Sequence, residues 1–183
     1  MLYLSIDPGI AHLGISVIDN TNEFQVLETV LVKNTRKFTD EEKIIEIAYG
    51  PRVVKVLAIV DSINQLLDKY KAIEIIILEA PFYSALTPVS YGALLEVISA
   101  IKYKIIIPRD LPFKLIEPLL VKKLFTNKGM ASKEAMKQFL IQKKENGSIV
   151  LETDIDTLSE HEIDAIAIGF VYHLSLLNPP IQT

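Results

Sequence analysis

Four side chains of this sequence are of types and at positions that could act together. Asp7 closes the apolar run 2–6, and Glu79 closes the run 74–78 with its four consecutive aliphatic residues. His161 and Asp164 are three apart, so they share one face at the start of a helical stretch. Ligands of open α/β sheets gather beyond the carboxyl ends of the strands. If the first and fourth strands are neighbours, Asp7 and Glu79 stand side by side there, and the His-x-x-Asp pair could complete a cage around a cation. Oxygen donors with at most one imidazole suit Mg²⁺ or Mn²⁺ better than zinc. Turn and capping chemistry accounts for each residue singly: Asp7 precedes Pro8-Gly9, Glu79 can solvate a strand end, and an Asp early in a helix is favoured by the dipole. The set exceeds what turns require, and Asp164 leads directly into the apolar stretch 165–168.

A second pattern lies in the charge. The chain carries 19 Lys and Arg against 23 Asp and Glu, a net charge of −4. Within 121–144, however, seven lysines, among them Lys122, Lys123, Lys128 and Lys133, face one acid, Glu134; from 145 onward there are seven acids and no Lys or Arg. Such asymmetry between neighbouring segments is read either as a basic surface beside an acidic site or as solvated helix faces.

The elements that must position these groups follow from periodicity. Residues 2–6, 13–18 and 24–32 read as an antiparallel meander of β-branched strands, separated by Asp7-Pro8-Gly9 and by residues 19–22. From 40 to about 70 the apolar residues recur at helical spacing, with Gly50-Pro51 as a break. The run 74–78 is apolar on both faces, as a strand inside a covered sheet should be. A helix over 89–104 follows, with 105–107 either ending it or forming a strand, then a hydrophobic strand at 113–116. Short helices over 118–125 and from Ser132 to 145 come next. Ser159 and Glu162 form a capping box opening a last helix to about 177, ahead of Pro179-Pro180. The predicted architecture is α/β: a mixed five-stranded sheet, its first three strands antiparallel, with helices on both faces.

At 183 residues the chain is one domain's worth, and 50% hydrophobic with 23% charged residues is enough for a core and unlike a disordered protein. The absence of cysteine excludes disulfides, thiolate zinc sites and cysteine nucleophiles, and favours a reducing compartment. With no signal-peptide pattern and no run of ~20 apolar residues, a soluble cytoplasmic protein without a membrane role is expected.

Four segments in order carry a resemblance. The string 4–15, with Asp7, Pro8, Gly9 and Gly14, resembles the first motif of the RuvC family of Holliday junction resolvases, nucleases with the RNase H-like fold. Leu78-Glu79-Ala80-Pro81-Phe82 resembles that family's catalytic Glu with an aromatic three residues on. The stretch 118–133 resembles its basic segment, and 161–167 its final motif, where the first position is Asp or His. The resemblance spans 1 to about 173; the departures are a longer stretch between Glu79 and the basic segment, the acidic balance, and Asn127-Lys128 in the basic turn.

The resemblance implies a Mg²⁺-dependent endonuclease, with Mn²⁺ as substitute, that cuts four-way DNA junctions by paired symmetric nicks. Two ions per site would be held by Asp7, Glu79, His161 and Asp164. Lys122 and Lys133 would contact phosphates, with Lys123 and Lys128 assisting. Phe82 would either stack on an unpaired base at the crossover or pack as a core aromatic under its loop. A junction offers two equivalent strands, so a homodimer is implied, with the helix 89–104 as its interface, in a bacterial or phage-infected cell. Other readings stay open: a broader nuclease of the same fold acting on branched DNA, flaps or RNA·DNA hybrids, and a junction-binding protein that does not cut. An actin-like phosphotransferase is disfavoured by length.

Overall fold

Six strands form one mixed sheet in the computed structural model, which describes residues 1–83 and 88–177. The meander comprises β1 (Leu2–Asp7), β2 (His12–Asp19) and β3 (Gln25–Lys33), in a register that runs from Leu2 opposite Asp19 to Asp7 opposite Gly14. On the free side of β1, β4 (Ile73–Glu79) lies parallel, Ile6 facing Leu78. β5 (Phe113–Ile116) continues the sheet parallel to β4, giving the order β5-β4-β1-β2-β3-β6. The expected adjacency of the first and fourth strands is thus observed.

The sixth strand, β6 (Val150–Leu151), pairs in parallel with the start of β3 and corrects the expected count of five. Two residues are too short to produce a period-two signal. The strand at 113–116 is found, but as a sheet edge on which Phe113 and Leu115 are exposed. Residues 105–107 do not form a strand: a π turn (Lys102–Ile106) extends α3 (Pro88–Ile101) and buries Ile105 and Ile106. Pro179-Pro180 lie outside the described residues.

Period two along β1 divides the core. Leu4 and Ile6 point to one face, with Leu13, Ile15 and Val17 of β2, and are covered by Ile59 and Ile63 of α2 (Pro51–Lys69) and by Val97 and Ile101 of α3. Tyr3 and Ile18 point to the other, where Phe125 of α4 (Pro118–Thr126), Leu140 of α5 (Lys133–Glu145) and Ile166 and Phe170 of α6 (Glu160–Leu177) close over them. Each such fully buried aliphatic contributes roughly 1.5–3 kcal/mol. Helices therefore cover both faces, as expected. Gly50, at φ +89°, breaks α1 (Asp40–Tyr49) from α2, and Pro51 opens α2, where its missing N–H costs nothing. No described helix is long and apolar enough to cross a membrane.

The long helix α6 is buried along 165–172 because it lies between the sheet and α4 and α5. Two glycines let it approach. A Cβ on Gly14 would overlap the carbonyl of His161, and one on Gly169 would overlap Ile18 and crowd Ser5. Hydrogen bonds then fix its height: Ser5 donates to the Ala165 carbonyl (2.7 Å) and Tyr3 to that of Gly169 (3.0 Å). Each carbonyl accepts with its second lone pair, and the two contacts set the register of α6 against β1 and carry His161 and Asp164 to Asp7.

Candidate active site

The carboxyl ends of β1 and β4 deliver Asp7 and Glu79 to one edge of the sheet, and the first turns of α6 deliver His161 and Asp164 to the same edge. The turn 8–11 after Asp7 is tight enough that a Cβ on Gly9 would overlap the His12 carbonyl. At the head of α6, Ser159 Oγ accepts from Glu162 N–H (3.3 Å) while Glu162 accepts from Ser159 N–H (2.9 Å), the expected capping box. All four expected residues are thus neighbours.

Their electrostatics show how closely they are coupled. Burial, then the charges of Asp7 and Asp164, push the Glu79 carboxyl up to about 8, with Lys122 opposing. Burial and Asp7 raise Asp164 to about 6, with Lys122 and His161 opposing. These are the two causes that keep a carboxyl protonated, low polarity and like charge nearby. Asp7, only 9% exposed, accepts a hydrogen bond from His161 Nδ1 (2.7 Å), and that bond holds His161 above its ordinary pKa. The His161 ring stacks on His12, centroids 5.5 Å apart.

The donor chemistry matches the hard-oxygen set expected for Mg²⁺ or Mn²⁺: three carboxylates, whose mutual repulsion a cation would relieve, and one imidazole. Among the described residues, no three His, Asp or Glu side chains stand close enough to enclose an ion as they are placed. The site is a converging set of donors, with His161 committed to Asp7.

The basic segment resolves into distinct roles. Lys122, in the second turn of α4, is close enough to act on both Glu79 and Asp164. Lys133 pairs with Glu160 and Lys137 with Asp156 (2.8 Å), which ties α5 to the head of α6 and to the turn before it. Lys143 lies over Phe170 (4.5 Å to the ring centroid), with its pKa depressed by burial. Lys128 sits in the turn after α4, where Thr126 Oγ1 accepts from its N–H (3.2 Å), and Asn127 takes the left-handed conformation that ends the helix. Lys123 is exposed on α4. Phe82 is 63% exposed beside Lys122 and Met130, so it is not a core aromatic.

Sequence reasoning misses a role for His12, on which the His161 ring stacks, and reads Gly14 only as part of the first motif, since what requires a glycine there is the His161 carbonyl of α6. It also misses Arg52 and Lys55, which wall a cleft beside His161, and Asn34, which bonds the Ile10 and Lys55 carbonyls behind that wall. They lie far from the motifs and show no spacing signal.

No protein-family model matches the chain, and a search of curated proteins likewise finds no match. Solved structures do match. Thermus thermophilus RuvC in complex with a Holliday junction substrate superposes with a TM-score of 0.66 at 21% identity, over 96% of this chain and 94% of that one. The yeast mitochondrial Holliday junction resolvase gives 0.61 at 14% identity, over 93% and 78%. Fowlpox virus resolvase, bound to Holliday junction DNA, gives 0.53 at 21% identity, over 97% and 100%. The fold of this chain is that of RuvC and the RuvC-like Holliday junction resolvases.

Proposed function

We propose that this chain is a RuvC-family endonuclease that resolves four-way DNA junctions by paired symmetric nicks. The observation that carries the reading is the convergence of Asp7, Glu79 and Asp164 from β1, β4 and α6 on one sheet edge, with Lys122 facing them. The fold shared with junction resolvases supports the substrate class.

Two divalent cations, when bound, would polarise the scissile phosphate, activate water and stabilise the leaving oxygen. Asp7, Glu79, His161 and Asp164 are the residues that would hold them. Asp7 is oriented by the His161 N–H. Glu79 and Asp164 must shed the protons that burial and repulsion favour, so binding of Mg²⁺ or Mn²⁺ releases protons near neutral pH. Lys122 offsets the negative field that would otherwise repel a phosphodiester, and the exposed Lys123 of α4 and Lys128 of the turn after it extend the positive surface. Lys133, already paired with Glu160, exchanges that partner for a phosphate. Phe82, exposed beside Lys122, would stack on a base unpaired at the crossover.

Paired nicks require two sites, and a homodimer supplies them. α3 is the proposed interface; it exposes Val89 and Leu95, and Tyr103 follows in the π turn. A monomer by gel filtration, both free and bound to a junction, contradicts this.

The test is cleavage of a labelled four-way junction, a flap, an RNA·DNA hybrid and a linear duplex side by side, with Mg²⁺, Mn²⁺ or EDTA. Cutting confined to the junction and abolished by EDTA is expected. Equal cutting of flaps or hybrids replaces the proposal with a broader nuclease, and binding without cutting replaces it with a junction-binding protein.

A further inference from the structure

A cleft of about 570 Å³ opens beside His161, between the turn after β1 and the N-terminal ends of α2 and α3. Ile10, His12, Arg52, Lys55 and Ala93 are among its walls, and no carboxylate lines it among the described residues. It adjoins a centre built from three carboxylates, so its sign is opposite to that of its neighbour.

The cleft is held open by a buried polar residue. Asn34, 5% exposed, donates both of its amide hydrogens, one to the Ile10 carbonyl and one to the Lys55 carbonyl, each at 3.1 Å. Its own backbone N–H donates to the Ala11 carbonyl (2.9 Å). One side chain thus ties the turn that follows Asp7 to the turn of α2 that carries Lys55. Moving either wall away would strand a buried donor, so the spacing between the two walls is fixed. Arg52 is half-exposed and reaches Glu96 of α3 at 3.4 Å, a long and solvent-screened pair that a phosphate can displace. Lys55 is half-buried.

We infer that this cleft is a second DNA-backbone subsite, in which Arg52 and Lys55 bind phosphates of the strand that continues past the carboxylate centre, on the side away from Lys122. The inference rests on the proposed nuclease reading and deepens it: the scissile strand is gripped on both flanks of the cut, by α4 on one and by α2 on the other. Arg suits this role because its planar fork engages phosphate oxygens in pairs. The apolar floor of Ile10 and Ala93 accommodates sugar edges without sequence preference.

The experiment measures equilibrium binding of the full chain to a fluorescent four-way junction in EDTA, across a salt series. The variants are Lys55→Gln, the double Arg52→Gln/Lys55→Gln and, as control, Lys71→Gln, an exposed lysine at the opposite end of β4. Two lost phosphate contacts reduce the slope of log K against log salt by about 1.8, which over the decade from 1 M to 0.1 M salt weakens binding roughly 60-fold. The single variant loses about half of that slope, and Lys71→Gln matches the parent. Unchanged melting temperatures confirm that the variants fold.

Because the chain has no cysteine, Lys55→Cys creates a single attachment point. Disulfide capture of junctions carrying a thiol tether at successive phosphates is expected next to the scissile position and nowhere else. A double variant with parental affinity and slope, or capture spread evenly over the DNA, overturns the cleft while leaving the nuclease reading intact. A parent chain that binds no DNA overturns both.

Discussion

Replacing Glu79 with Gln should stabilise the fold while removing its chemistry. Glu79 is held at about 8 in the native state against 4.5 for an unperturbed Glu, through burial first and the charges of Asp7 and Asp164 second. At pH 7 the unfolded chain therefore ionises this group and the native chain largely does not. Each unit of difference is worth about 1.4 kcal/mol, so ionisation favours the unfolded state by about 3 kcal/mol at pH 7. Gln keeps the shape and has no proton to lose. For a chain of this size the gain corresponds to a melting temperature roughly 6 to 12 °C higher. The direction with pH is fixed: the native state retains a proton that the unfolded state releases, so the parent's stability falls as pH rises from about 4.5 and levels off above about 8. Thermal melts by circular dichroism in EDTA, from pH 4.5 to 8.5, should show parent and variant together at the acid end and diverging toward pH 8. Added Mg²⁺ should raise the parent's melting temperature at pH 8 and leave the variant's nearly unchanged. A variant no more stable than the parent at pH 7, or a gap that does not depend on pH, would refute the reasoning, because Glu79 would then be an ordinary solvated carboxylate.

Asp7→Asn is expected to bind junctions with parental affinity and not to cut them in Mg²⁺; retained cleavage removes Asp7 from the chemistry. Gly14→Ala drives a methyl into the His161 carbonyl, so a loss of about 1–3 kcal/mol of stability is expected, read by urea unfolding, together with a fall in cleavage rate as the head of α6 is displaced. Lys122→Gln should weaken junction binding and lower the salt slope by about 0.9. It also removes the cation that opposes the raised pKa values of Glu79 and Asp164, so the pH profile of cleavage moves to higher pH. Lys133→Gln should change the salt slope less than Lys122→Gln, since Lys133 already has Glu160 as its partner; equal effects contradict the distinction.

Asp7 and Glu79 are legible in the sequence because an acidic residue ending an apolar strand is a local pattern, and because a parallel neighbour of β1 brings the two together. His161 and Asp164 are legible through helical spacing behind a capping box. Gly14 is legible only as part of a motif: what makes it necessary is α6, nearly 150 positions later. The lysine-rich segment shows the limit of charge counting, since composition does not tell a lysine facing the carboxylates, such as Lys122, from one paired along a helix, such as Lys137, or one lying over aromatic rings, such as Lys143. The cleft beside His161 leaves no sequence signal because its walls come from three separate elements and are joined by one buried amide, that of Asn34. The two-residue β6 escapes periodicity because it is too short; β5 lies where its apolar run places it, and only its exposure as a sheet edge departs from the burial that run predicts.

In the proposed homodimer, the carboxylate centre of each protomer nicks one strand of a four-way junction, at symmetric positions. The most direct measurement labels each of the four strands of a synthetic junction in turn and maps the cuts made in Mg²⁺ by the parent chain and by Asp7→Asn. Nicks at equivalent positions on one opposed pair of strands, absent with Asp7→Asn, are predicted. Cuts that fall on all four strands without symmetry, or that persist in Asp7→Asn, would contradict it.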